Sequence, residues 1–398
     1  MIATDTFPVP ERLAPYACHA ADSRGRLHDE PASRTRTAFQ RDRDRIIHSA
    51  AFRRLKWKTQ VFVYHEGDYF RTRLTHSLEV SQIARSICSH LGLNQDLAEA
   101  LALAHDLGHA PFGHAGEHVL KNQLQDLGGF DHNVQSLRLV TKLEERYAAF
   151  DGLNLTWETL EGLIKHNGPL RDAEGAGQVA DYVAQYDRDN PLALETWPSA
   201  EAQVASLADD IAYNNHDIDD GLRAGLFAVA DLEDVPLVGP VFHETRKAFP
   251  DTDESRLIHE AVRRMFGLMV EDLTTETARR LRESGVAGPA DVRRLGGPVA
   301  AFSDAMRRND AALKDFLFHN MYRHHQVNRM TSKARRVIHD LFTLLKDEPG
   351  CLPTEWRRRA GEPGSPRTTR LVADYVAGMT DRFALEEHRR LFDLQIKP

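Results

Sequence analysis

An Ala/Leu-rich run, Leu101-Ala102-Leu103-Ala104, ends in an adjacent His105-Asp106 pair. Leu97, Leu101 and Ala104 recur at helical spacing, which predicts a buried helix stopped by Gly108 and Pro111. A histidine and an aspartate at the buried end of a helix are costly unless something satisfies them. A divalent metal ion does so, because it accepts neutral imidazole nitrogen and carboxylate oxygen together. A lone His-Asp dipeptide carries little weight, and its company raises it: His76 upstream, then His109, His114, Glu117, His118 and His132 downstream. A catalytic metal needs ligands from several elements and open positions for water and substrate. His76 sits on a separate predicted helix, capped by Thr75 or Ser77, with Leu78, Ile83 and Ile87 on its buried side. A fourth ligand comes from Leu207-Ala208-Asp209-Asp210-Ile211-Ala212-Tyr213, where two carboxylates interrupt an apolar stretch. The plainer account of that pair points one Asp outward and gives the other a hydrogen bond from a neighbouring helix.

The elements that must position these groups are predicted helices. Arg41 to Leu55 reads as one helix with Ile46, Ile47, Ala50, Ala51 and Leu55 inward. Between Arg34 and Lys58 nine Arg/Lys face two Asp, and Arg53, Arg54, Lys56 and Lys58 fall just before the candidate ligands. Such a run is either a solvated helix face or an anion site. Val61-Phe62-Val63-Tyr64 is a short β-like run followed by a turn at Glu66-Gly67-Asp68. Asn94-Gln95-Asp96 breaks and restarts the helix that leads to His105. Asp131 starts another helix, and Thr156 to His166 forms one more. Glu201 to Leu226, Ala311 to Leu345 and Arg370 to Phe392 read as helices, with a loop from Lys346 to Arg367. Residues 168–191, rich in Gly, Asp and Ala, are expected to form an exposed insertion. Residues 1–32 read as an N-terminal arm and 393–398 as a tail. The expected class is all-α, one helical domain over 33–392 with its core at about 70–225 and no internal repeat.

Bulk properties exclude several classes. The 398 residues are 41% hydrophobic and 28% charged, ordinary for a globular chain. A net charge of -8 makes general nucleic-acid affinity a poor default. Cys18, Cys88 and Cys351 are scattered and odd in number, which predicts a reducing, cytoplasmic setting without disulfides. No secretory h-region and no membrane-length apolar run is evident, so no membrane partner is expected.

His76, His105-Asp106 and Asp209 resemble the H…HD…D signature of HD-domain metal-dependent phosphohydrolases. Further segments are similar to the deoxyguanosine triphosphate triphosphohydrolase family. They are Arg41 to Leu55, Arg73-Leu74-Thr75-His76, His105 to His114, Phe130-Asp131-His132-Asn133, Asp209 to Tyr213, and Ala373 to Arg382. The similarity spans most of residues 33–392, and the absence of a large inserted domain resembles the short bacterial members.

The resemblance implies an HD-domain helical fold and a set of roles. His76, His105, Asp106 and Asp209 would hold the metal, Asp209 being chosen because the family pattern puts the ligand four residues before Tyr213. His114 and Glu117 would be the acid/base pair. They are three apart, so a helix after Gly113 would let Glu117 orient the imidazole. Tyr213 and Asp217 would contact substrate, with Asp217 and Gln60 near the sugar 3′-hydroxyl. Tyr322 would pack under the deoxyribose, and Arg53, Lys56 and Arg73 would take triphosphate oxygens. His109, His118 and His132 would support the ligands or the phosphates. Mn²⁺ or Mg²⁺ are the foremost metals, and the mixed nitrogen and oxygen donors also suit Fe²⁺, Co²⁺ or Ni²⁺. One metal with His114 as acid implies attack at the α-phosphorus of a deoxynucleoside triphosphate, releasing nucleoside and triphosphate. The resemblance also implies a homo-oligomer, a hexamer or tetramer, with single-stranded DNA as a weak secondary ligand. Two alternatives stay open: another HD phosphohydrolase (a nucleotide phosphomonoesterase or a phosphodiesterase), and a non-catalytic nucleotide or nucleic-acid sensor.

Overall fold

The computed structural model describes residues 12–60, 71–172, 176–177 and 179–396. The β-like run at 61–64 and its turn lie outside the described residues. Among the described residues there are seventeen α-helices and only isolated β-bridges. The first seven are α1 (Ala38–Ile47), α2 (Ala50–Arg54), α3 (Arg73–Leu91), α4 (Gln95–Ala104), α5 (His114–Gln123), α6 (His132–Arg138) and α7 (Trp157–Ile164). Then come α8 (Asp181–Asp189), α9 (Ala200–Arg223), α10 (Val238–Ala248), α11 (Glu254–Ser284), α12 (Pro289–Arg294) and α13 (Asp304–Leu317). The chain ends with α14 (His325–Asp347), α15 (Thr354–Arg359), α16 (Pro366–Ala377) and α17 (Asp381–Phe392). No helix among the described residues is long and apolar enough to cross a membrane.

The centre is α4, packed against α3 and α9. Its residues Leu97, Ala98 and Ala100 to Ala104 are all buried, so it is apolar on every side, as a core helix should be. Asn94 caps it by accepting the N–H groups of Asp96 and Leu97, which is why the chain breaks and restarts there. Gly162 of α7 lets that helix approach closely, since a Cβ there would sit 2.6 Å from Leu101 Cδ2. One apolar cluster joins α3, α4, α9, α11 and α13; a second joins α1, α4, α6 and α7. A third packs α5 against α14 and α16. The same small helix therefore feeds the first two cores, and its C-terminal end emerges between them.

Several expectations are corrected. The segment 41–55 is two helices: α1 ends at Ile47, and Ser49 accepts the Phe52 N–H to start α2. The helix of His76 starts at Arg73 with Thr72 at its N-cap, neither Thr75 nor Ser77. The 168–191 segment is not wholly an exposed insertion. Its α8 buries Val183 completely, and Tyr182 and Tyr186 pack on the same core, because these three fall on one face. Residues 12–32 lie on the domain instead of extending from it. Ala17 and Cys18 are buried, Ser23 and the Arg24 N–H bond Glu158, and Arg26 Nη1 meets Asp42 Oδ1 at 2.5 Å. The loop from Lys346 contains α15, and Gly378-Met379-Thr380 splits the last helix into α16 and α17.

Candidate active site

Two helix ends and the middle of a third helix bring the metal candidates together. His76 comes from the first turn of α3, His105 is the C-cap of α4 with Asp106 next, and Asp209 lies midway along α9. Ligand atoms of His76, His105 and Asp106 all lie within 4.8 Å of one another. Asp209 Oδ1 is 2.7 Å from His76 Nε2 and 3.6 Å from His105 Nε2. His105 Nδ1 lies 2.7 Å from the Ala102 carbonyl, so Nδ1–H donates there and Nε2 keeps its lone pair toward the cluster. His105 Nε2 and Asp106 Oδ2 are buried without a hydrogen-bond partner. Orphaned acceptors within one buried His/Asp cluster are what a cation relieves, so these residues fit a divalent ion. Burial pushes the Asp106 carboxyl up, but Arg73, His105 and His109 outweigh it and hold it well below the usual carboxylate range. Asp209 follows the same pattern: burial raises it, and His105, His166 and His76 bring it far down. Both carboxylates are therefore held toward the ionised form, which is the form a metal ligand needs.

Two residues beyond those expected from the sequence join this cluster. His166, just past α7, stacks on His105 with centroids 5.5 Å apart and puts Nε2 3.4 Å from Asp209 Oδ2. His216 Nδ1 lies 3.3 Å from His76 Nδ1, and its Nε2 pairs with Glu79. A chain from His76 to His216 to Glu79 fixes the His76 ring with Nε2 toward the cluster. His216 stands seven residues after Asp209, on the face shared with Tyr213, and that spacing was a usable signal. His166 offers no such signal, since its partners come only from the fold.

A second group stands beside the first. His114 is the first residue of α5, and its side chain is 68% exposed, against 21% for His132 and 4% for His109. His114 Nδ1 lies 3.0 Å from Glu117 Oε2, so Nε2 is the free nitrogen. Glu117 Oε1 accepts the His132 backbone N–H and Nδ1–H, each at 2.9 Å. His132 stacks on His109 at 4.1 Å, and His109 Nε2 reaches Asp106 Oδ1 at 3.2 Å. One line of contacts thus runs from Asp106 through His109 and His132 to Glu117 and His114. Gly108 makes it compact: a Cβ there would lie 2.0 Å from the His132 carbonyl oxygen, and its N–H bonds Ser136 Oγ at 2.9 Å. Both Glu117 oxygens already accept hydrogen bonds, unlike the orphaned acceptors of the first cluster.

Burial pushes Glu117 up, but its hydrogen bonds to His114 and His132 dominate and hold it far below the carboxylate range. Burial lowers His132, but Glu117 more than compensates and raises it above 6.5. The His132 contribution to stability is complete below about 6.5 and is lost as pH rises through the raised folded value. The Glu117 contribution is present above about 4.5 and is lost only far into acid. Glu117→Gln is therefore expected to lower the melting temperature more at pH 5.5 than at pH 8.5. Calorimetry of both proteins at the two pH values checks this, and a larger loss at pH 8.5 would contradict the assignment.

A cavity of about 520 Å³ opens beside His114, lined among others by Gln60, Phe112, Tyr213, Lys314 and Tyr322. Asp217 is fully buried behind it, with Oδ2 taking the Tyr322 hydroxyl and Oδ1 unpartnered. Burial pushes the Asp217 carboxyl well up. Gln60 is buried with Oε1 unpartnered. Arg73 is buried under the Gly113 turn and donates to Asp106 Oδ1 at 2.9 Å. Three expected residues are not brought here. Arg53 is exposed and donates to its own His48 carbonyl, Lys56 is exposed over the neighbouring Trp57 ring, and exposed His118 contacts Asn122. In that stretch it is Lys58 that turns inward. Asp210 also leaves the cluster, pairing with Lys314 at 3.0 Å.

Residues 73–214 match the HD domain, and residues 300–390 match the phosphohydrolase-associated domain. The chain is 60% identical to a deoxyguanosinetriphosphate triphosphohydrolase-like protein of Parvibaculum lavamentivorans, covering 97% of this chain and 98% of the relative. Proteins of the same name from Caulobacter sp. (strain K31) and Caulobacter vibrioides are 56% and 58% identical. These alignments cover 99% and 96% of this chain, and 100% and 97% of the relatives. Near-full-length identity at that level, with a buried His/Asp cluster at the HD positions, shows that the chain belongs to the deoxyguanosinetriphosphate triphosphohydrolase-like family of metal-dependent HD phosphohydrolases.

Proposed function

We propose that the chain hydrolyses deoxynucleoside triphosphates at the α-phosphorus, giving deoxynucleoside and inorganic triphosphate. The observation that carries this reading is His114: an exposed imidazole held at Nδ1 by Glu117, between the His/Asp cluster and the cavity of Gln60, Tyr213 and Tyr322. His76, His105, Asp106 and Asp209 would hold a divalent ion, which supplies Lewis-acid neutralisation of charge on phosphate oxygen. Mn²⁺ and Mg²⁺ are the first metals to test.

The residues divide the remaining work. Water oxygen bonds to the α-phosphorus while the bond to the 5′-oxygen breaks. His114 gives the Nε2 proton to that departing oxygen and is reprotonated by the proton the water sheds. Glu117 accepts from Nδ1–H and favours the imidazolium, the form in which Nε2 carries a proton to give. His132, whose pKa Glu117 raises, would add positive charge for the triphosphate when protonated, and buried Arg73 holds Asp106 in place. Asp217 and Gln60 each keep an unpartnered buried oxygen, which a sugar hydroxyl would satisfy. The test is chromatography of the products from each of four dNTPs, with Mn²⁺ and with Mg²⁺, in ¹⁸O water. Label in triphosphate and none in nucleoside supports the reading. Pyrophosphate with dNMP, or stepwise orthophosphate, would replace it with another HD phosphohydrolase activity.

Tyr322 gives the reading a specificity test. Its hydroxyl is fixed on Asp217, so its ring forms a rigid wall of the cavity. A ring held against C2′ leaves no room for a 2′-hydroxyl, and a site that strands polar groups rejects strongly. GTP is expected to be nearly refused by the unaltered protein, and Tyr322→Ala to admit it. Equal turnover of GTP and dGTP before any substitution would sink the sugar assignment.

A further inference from the structure

The C-terminal segment that resembles the family, Ala373 to Arg382, has no part in the chemistry above, yet it is tied to the active-site side at three places. Asp374 Oδ2 accepts Arg138 Nη2 at 2.5 Å, and its Oδ1 accepts Gln135 Nε2 at 3.2 Å; both donors lie on α6, which begins with His132. The Ala377 carbonyl accepts Lys58 Nζ at 2.9 Å, and the same ammonium reaches the His109 carbonyl at 2.5 Å. Asp381, 1% exposed, accepts the Thr59 N–H at 2.8 Å on Oδ2, together with the Thr59 hydroxyl. Its Oδ1 accepts the Phe112 N–H at 2.8 Å.

The Asp381 contacts fall on two remote stretches that lead directly into functional side chains. Thr59 precedes Gln60, and Phe112 stands two residues before His114. Phe112 has φ 60° and Gly113 φ 57°, so the turn that aims α5 passes through the left-handed region twice. For phenylalanine that conformation is strained and persists only where neighbours over-determine it. Asp381 is the acceptor that the Phe112 N–H finds there. A buried carboxylate that merely filled a gap would have no need to join these two stretches.

We infer that Asp381 is a positioning residue, clamping the Thr59 and Phe112 backbone so that Gln60 and His114 face one substrate. This rests on the proposed roles of those two side chains. The tests are Asp381→Asn, which replaces one acceptor with an amide facing N–H donors, and Thr59→Val, which removes a single hydroxyl and spares the fold if Asp381→Asn does not. A misplaced acid is expected to cost kcat about 10–100-fold in Asp381→Asn, with bound metal and helix content unchanged. In a His114→Ala background the same change is expected to cost kcat less than about 3-fold, because only Gln60, a binding group, is left for it to position. Thr59→Ser should recover most of what Thr59→Val loses. Equal losses in both backgrounds, or no change in kcat, would overturn the inference. A readout without substrate separates this from failure of the functional reading. The His114 ring ¹⁵N resonances, assigned by their loss in His114→Ala, should shift in Asp381→Asn and Thr59→Val. Unmoved resonances would reject the clamp whatever the reaction proves to be.

Discussion

Asp209→Ala is expected to remove the bound divalent ion and cut turnover by about 10³-fold or more, while Asp210→Ala keeps the ion. The two carboxylates are neighbours in sequence, and one residue of helix turns a side chain by about 100°. That rotation sends them into opposite environments. Asp209 faces three imidazoles, with Oδ1 2.7 Å from His76 Nε2 and 3.6 Å from His105 Nε2, and Oδ2 3.4 Å from His166 Nε2. Asp210 faces Lys314 across the cavity wall, and burial pushes its carboxyl up instead of down. Removing Asp209 leaves His76 and His105 without the anion that completes their donor set. Removing Asp210 leaves the Lys314 ammonium with Asp310 at 3.0 Å, so the loss there is of cavity polarity only. Metal content by elemental analysis, alongside product chromatography, distinguishes the two variants. Metal retained in Asp209→Ala and lost in Asp210→Ala would reverse the assignment along α9.

What could be read from the chain depended on range. Local rules worked where a cap or a spacing decides the outcome. Asn94 restarts a helix because its side chain accepts two orphan N–H groups, as Asp131 does for α6, and Thr156 accepts one to start α7. Spacing also placed Glu117 against His114, because α5 begins at His114 itself. Periodicity failed at His48-Ser49. There a new cap resets the helical phase, so Ile47, expected inward, is exposed, and the basic run splits between surface and core. Charge alone could not say that Lys58 turns inward while Arg53 and Lys56 stay out. Burial lowers the Lys58 pKa to about 7, a cost accepted for two carbonyl bonds that tie distant segments together. His166 and Asp381 were illegible for one reason. Each acts on groups more than forty residues away, and no periodic pattern carries that information.

His114→Ala is expected to lower turnover by about 10²–10⁴-fold with the metal still bound. His114 stands apart from the candidate ligands, since its side chain bonds Glu117 and its ring is 5.2 Å from the His109 ring. Its Nδ1 is committed to Glu117, which leaves Nε2 as the single proton site toward the cavity. Loss of that proton leaves the departing 5′-oxygen to separate as an alkoxide, a poor leaving group at neutral pH. Glu117→Gln should cost less than His114→Ala, because an amide oxygen can still accept from Nδ1 although it no longer favours the charged ring. It should cost more than an isolated orienting contact would, because Glu117 also fixes His132 through two bonds at 2.9 Å. The two variants are predicted to differ in their response to the leaving group. A substrate with an acidic aryl alcohol in place of the nucleoside needs no proton, so it should recover much of the rate in His114→Ala. Rate constants on that substrate and on a dNTP, measured for both variants at one metal concentration, give the comparison. If the aryl ester is slowed by His114→Ala as much as the dNTP is, His114 is not the acid. Its role would then be to bind phosphate.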